Sequence, residues 1–190
     1  MGDVATIVRS WHDKINEKDL PCRSTFSPMK MGRFLGYTYI LEQNDEGIFF
    51  RLAGSDLETI WGQSLASENI TALLSSIESY NIYHGLIKYA FDQKIGLIFT
   101  GLLKDKHSNF RSIEEVVLPY DKKGRTEMIG VQFVGNGKSG LTSFSENAYI
   151  ITNIKMIVPS GMQETRALPL ELEDLIKSRS IPIEIAEKEM

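Results

Sequence analysis

Apolar residues recur along the first sixteen positions with the period of a helix. Val4, Ile7, Val8, Trp11 and Ile15 fall at i, i+3, i+4, i+7 and i+11, which predicts an amphipathic helix over 3–16 with Asp3 as its N-cap. A loop bracketed by Pro21 and Pro28 follows, then a short helix from Pro28 to Phe34, with Ser27 as its cap and Gly36 at its end. Two strands are predicted at 37–42 and 47–53, joined by a hairpin in which Asn44, Asp45 and Gly47 suit a positive φ. Ser55 and Glu58 have capping-box spacing, Gly54 offers a sharp turn, and Gly62 suits the left-handed end of a short helix. Two further helices are expected, over 68–76 and 78–93, with Gly85 in the second suited to close packing. Three strands come next, at 95–103, 111–119 and 126–134. Asp121 to Gly124 makes a hairpin turn, and Pro119 should end the middle strand. Beyond 140 a strand at 148–158 and a helix at 169–179 are expected, and the last ten residues alternate without an evident partner. Two strands, helices, then three strands predict an α+β fold with an antiparallel sheet.

The pattern divides the chain into an N-terminal amphipathic helix (1–18), a central domain (19–140) and a C-terminal extension (141–190), partly ordered or flexible. The helix stripe has two readings. It packs on the domain's own sheet, or Val4, Ile7, Val8 and Trp11 form the interface of a homodimer. The extension carries eight acidic and five basic residues, so most of the net charge of −4 sits there. It is a loosely docked tail or a partner-binding segment. An acidic chain does not suggest a nucleic-acid binder. The single cysteine, Cys22, allows no internal disulfide. No secretory leader or membrane span is expected, and a cytoplasmic location is.

Chemical motifs are sparse. His12, His84 and His107 show no metal-ligand spacing, and no metal site is expected. The stretch Gly135 to Gly140 resembles a phosphate loop, but Gln132 stands where the first glycine would be, so a plain exit loop is expected. Glu114 and Glu115 are adjacent, so on a strand they face opposite ways and form no carboxylate pair. Alternation puts Phe49, Arg51 and Ala53 on one face of the second strand and Ile48, Phe50 and Leu52 on the other. Which face is inward stays open. An inward Arg51 needs an ion-pair partner or a bound anion; otherwise it is an exposed or salt-bridged arginine at a strand edge.

Several blocks, in order, resemble the stand-alone PAS-like domain proteins found chiefly in alphaproteobacteria. They are Trp11, Leu20-Pro21-Cys22-Arg23, Phe26-Ser27-Pro28-Met29, Leu35, Phe50-Arg51-Leu52-Ala53-Gly54-Ser55, Leu57, Trp61-Gly62 and Val117-Leu118-Pro119-Tyr120. Phe50 and Ser55 depart mildly from the family's tyrosine and threonine. The resemblance covers residues 11–134. It implies a PAS-like five-stranded antiparallel sheet in order 2-1-5-4-3 with helices over one face, and a ligand pocket between them. Tyr39, Arg51, Trp61, Tyr83, His84 and Phe99 are the residues such a pocket would gather. Some PAS sensors ligate haem through a histidine on the corresponding long helix; His84 is read instead as a hydrogen-bonded or surface residue, and no cofactor is assigned.

The function this implies is a non-enzymatic sensory or protein-interaction module. It would bind a small molecule or a signalling partner and act through protein association. The alternatives are a small-pocket enzyme of isomerase or hydrolase type, which needs a strongly perturbed acid or base in its cavity, and a scaffold whose core is filled.

Overall fold

Alternation along the central strands sorts their side chains onto two faces, and each face is covered. The computed structural model describes residues 2–15, 20–70, 77–104, 110–135, 149–159 and 167–187. Its elements are α1 (Gly2–His12), a 3-10 segment (Pro28–Tyr37), β1 (Thr38–Asn44), β2 (Gly47–Ala53), α2 (Ser55–Trp61) and α3 (Ile77–Gln93). They continue with β3 (Gly96–Lys104), β4 (Phe110–Lys122), β5 (Arg125–Val134), β6 (Tyr149–Val158), α4 (Leu170–Ser178) and β7 (Ile183–Glu187). The strands form one seven-stranded sheet in the order β2-β1-β5-β4-β3-β6-β7.

The expected order 2-1-5-4-3 is therefore present, but the sheet does not stop at five strands. β6 pairs antiparallel with β3, and β7 pairs parallel with β6. The parallel step requires a crossover, and α4 lies within it. α4 packs on α3 at Gly85, where an added Cβ would stand 3.0 Å from Leu172 Cδ1. The described parts of the expected extension are thus built into the sheet. The helix expected over 68–76 falls mostly outside the described residues, as do His107 and most of the Gly135 to Gly140 loop.

Helices cover both faces, not one. The inner face presents Leu97, Phe99, Val117 and Met128 to Ile82, Leu86 and Ala90 of α3. The outer face presents Ile98, Val116, Leu118, Ile129 and Val131 to α1. Val4, Ile7, Val8 and Trp11, expected at a dimer interface, are buried there against their own sheet. A contact between copies through these four would require α1 to leave that sheet. The Trp11 indole N–H also donates to the Pro119 carbonyl at 2.7 Å. Removing that ring would cost about 3–5 kcal/mol.

Pro119 does not end its strand. β4 runs on to Lys122 and pairs Pro119 with Met128 of β5. β3 accompanies β4 only as far as Val117, so the missing proline N–H falls beyond the end of the β3–β4 ladder. Both hairpin turns form, but in the first only Gly47 adopts the positive φ expected also of Asn44 and Asp45. Asn44 Oδ1 accepts from the Glu46 and Gly47 amides, and Lys123 and Gly124 both adopt positive φ between β4 and β5.

Candidate functional site

Where the resemblance implied a pocket, the described residues bring buried side chains together on one carboxyl group. Glu115 lies on the inner face of β4 between Ile113 and Val117 and is 1% exposed. The hydroxyls of Tyr39 (β1), Tyr83 (α3) and Tyr149 (β6) all donate to it, that of Tyr83 at 2.9 Å. Tyr39 and Tyr83 hydroxyls are also 3.2 Å apart. Phe99 packs on Tyr83 with ring centroids 5.4 Å apart, and Trp61 stacks on Tyr149 at 6.1 Å. The Trp61 indole N–H donates to Gln132 Oε1 at 3.1 Å. Burial pushes the Glu115 carboxyl up, although bonds from Tyr149, Tyr39, Tyr83 and Gln132 favour its charged form. Burial first, and the Glu115 charge second, hold the three phenols well above their ordinary value.

Of the six expected pocket residues, Tyr39, Trp61, Tyr83 and Phe99 meet here. His84 does not join them; it is half-buried with its ring 5.1 Å from Tyr80, one turn earlier on α3. Burial, then the nearby Lys88, lowers its pKa. Arg51 stands on the other face of the sheet. The reason is a slip in register. Leu41 opposes Phe50 while Ile40 opposes Leu52, so Arg51 is the extra residue of a β-bulge. The bulge breaks the alternation expected of β2: Ile48, Phe50 and Ala53 belong to the inner core, and Leu52 is exposed.

Arg51 enters a second polar centre. One of its terminal nitrogens lies 3.0 Å from Glu127 Oε2 and 3.5 Å from the Tyr120 hydroxyl, which itself donates to Glu127. Lys122 pairs with the other Glu127 oxygen. Burial works against the charge on Glu127, but Lys122, Tyr120 and Arg51 together outweigh it and lower the carboxyl's pKa. The Arg51 Nε–H is buried and meets no acceptor among the described residues.

Arg51 also lines an open groove of about 1090 Å³ on the outer face. Its walls are the Cys22–Ser24 loop, the start of the 3-10 segment, the end of β2 and the Asp121–Lys123 turn. Pro21–Arg23 is held against β4 by two backbone bonds to Asp121, of 2.8 and 2.9 Å. At the groove's end the backbone of Gly54 approaches that of Gly36 so closely that a Cβ on Gly54 would lie 2.3 Å from the Gly36 carbonyl oxygen. Glycine is required there for this approach, not for its dihedrals, since φ is −77°. The capping box does not form: Gly54 precedes the helix without a side-chain cap, and Glu58 accepts from the Leu65 amide and the Ser64 hydroxyl instead. Gly62 ends α2 at φ 72°, as expected.

Cys22 is exposed in this groove, with Ser24 Oγ at 2.9 Å and Thr25 Oγ1 at 3.4 Å from its sulfur. Those contacts pull its thiol down to about 7. Sequence reasoning missed Glu115, Tyr149, Gln132 and Glu127. For Glu115 a signal existed, a carboxylate in register with apolar Ile113 and Val117. The groove had a signal as well, because the blocks around Cys22-Arg23, Ser27-Pro28-Met29, Leu35 and Arg51 to Ser55 that carried the resemblance all converge on it.

A solved structure, the PAS domain of an HTR-like protein from Haloarcula marismortui, is similar at 12% identity and a TM-score of 0.38, covering 56% of this chain and 90% of that one. Comparison with curated proteins finds no match. A protein-family model described as PAS domain matches residues 3–132, from α1 through nearly all of β5. Over that stretch, more than half of its length, the chain belongs to the PAS domain family.

Proposed function

We propose that this protein is a sensory or interaction module that works by association, with a signalling partner received in the outer groove. The observation that carries the reading is the contrast, among the described residues, between the enclosed centre around Glu115 and an open groove floored by β1 and β2. Met29, Leu35 and Leu52, which line the groove, are exposed at 80, 38 and 37%. Exposed apolar side chains brought together from separate segments suit a contact surface. The reading is non-enzymatic and cytoplasmic, in keeping with the stand-alone PAS-like proteins of alphaproteobacteria that the sequence resembles. A photo-crosslinking residue in place of Met29 is expected to give a discrete adduct with a second protein in cells. The same residue in place of Glu184, on β7 at the far end of the sheet, is expected to give none. Equal adducts from both positions, or none from Met29, would reject the groove as the docking site.

One observation favours a second reading. Glu115 is the perturbed acid that a small isomerase or hydrolase would need. Its surroundings argue the other way, since three phenols and the core enclose it at 1% exposure. Activity that disappears in Glu115→Gln while the fold persists would support the enzyme.

A further inference from the structure

We infer that the groove's occupant is a short acidic peptide segment of a partner protein, with an apolar side chain set beside its carboxylates. This rests on the docking reading above and names the chemistry of what docks.

Charge is the first argument. Arg23, Arg51, Lys122 and Lys123 line the groove, and the carboxylates set against them are Asp121 and Glu127. Glu127 is shared between Arg51 and Lys122, and among the described residues neither Arg23 nor Lys123 makes an ion pair. A positive surface therefore stands on a chain whose net charge is −4. Such a patch steers acidic partners toward itself and disfavours symmetric contact with the same patch on another copy. Arg51 also keeps its buried Nε–H without an acceptor among the described residues. Its planar fork suits a carboxylate.

Shape is the second argument. Met29, Leu35 and Leu52 account for three of the five large apolar side chains exposed among the described residues, and all three line this groove beside the cations. A small amphiphile is best held when 70–90% of its surface is covered, as a rough rule for compact ligand pockets. An open trough with Met29 80% exposed covers one side of its occupant only. A peptide needs no more than that. It lays one face on the groove, its apolar side chain on Leu35 and Leu52, and turns the other face to water.

The test is selection of displayed random short peptides on the full chain, with Cys22 as reporter. Cys22 is the sole cysteine, is exposed in the groove, and has its thiol pulled down to about 7 by Ser24 and Thr25. Enriched sequences are expected to place Asp or Glu beside Leu, Ile or Phe. A synthetic copy should slow maleimide labelling of Cys22 several-fold. Its affinity should fall by about tenfold or more in the double variant Arg23→Glu/Lys123→Glu. Both of these side chains are exposed, so an unchanged melting profile would show that the variant is folded. Neutral or basic consensus sequences would overturn the inference. So would equal binding to the double variant, or unaltered Cys22 labelling. A single-stranded oligonucleotide that protects Cys22 better than any peptide would assign the cations to a phosphate backbone and also reject it. Failure of every peptide, with the Met29 adduct still formed, would reject the peptide chemistry alone and leave the docking reading standing.

Discussion

Two carboxylates, one on each face of the same sheet, meet opposite fates. Glu115 on the inner face has three phenol donors and its pKa is raised; Glu127 on the outer face has one phenol, an arginine and a lysine, and its pKa is lowered. Both are nearly inaccessible, at 1 and 3% exposure. The difference lies in the donors. Neutral hydroxyls orient a carboxyl group but do not offset the loss of its hydration, whereas nearby cations do. The inner centre is therefore a structural knot tying β1, β4, β6 and α3 to one side chain. The outer centre holds its charge and leaves cationic groups facing a groove.

The knot should be the costlier of the two to cut. Glu115→Ala would leave a cavity and three phenols short of an acceptor, a loss of about 3–5 kcal/mol in urea denaturation. A loss near that of an ordinary surface change would mean the phenols satisfy one another. Glu127→Gln strips Arg51 and Lys122 of their shared charge while keeping the shape. Arg51 is 23% exposed and Lys122 31%. The cost should accordingly fall between that of buried and surface pairs, about 1–3 kcal/mol.

A pH series separates the two centres further. Because the folded state raises the Glu115 pKa, its stabilising contribution is full below the unfolded value and is lost as pH rises through the folded one. Glu127 runs the other way: its contribution is present above the unfolded value and is lost as pH falls through the lowered one. Glu115→Gln should thus match the parent in acid and surpass it progressively toward alkaline pH. A gap that stays constant with pH would show that Glu115 does not titrate differently in the fold. The smallest effect is expected from Asp3→Ala, which removes an exposed ion pair with Arg33 between α1 and the 3-10 segment. Less than about 1 kcal/mol should be lost in thermal unfolding.

Local features were readable where local physics decides them. The helical stripe of α1, both hairpin turns and the left-handed Gly62 follow from nearby residues, whereas the tight packing read at Gly85 has its partner, Leu172, far along the chain. The order of the first five strands came with the resemblance. Other features depend on partners far along the chain. Glu58 has capping-box spacing, yet a loop seven residues on offers it two donors. Pro119 reads as a strand end, yet β4 outlasts β3 and tolerates it. The faces of β2 could not be assigned because a bulge carries no period. The phenols around Glu115 come from positions 39, 83 and 149, and no spacing in the chain announces that they meet.

The last two strands change where this sheet is open to strangers. A sheet ending at β3 would present nine residues, Gly96–Lys104, with most side chains buried and a full row of backbone groups ready to template another chain. The chain covers that border with its own β6. The terminal strand becomes β7, five residues long, with Glu184 exposed beside exposed Ile185. Short length and a charge are common defences against edge-to-edge aggregation. Truncation before Tyr149 would expose the long apolar border of β3, and the same residues that complete the fold would be missed first as a loss of solubility.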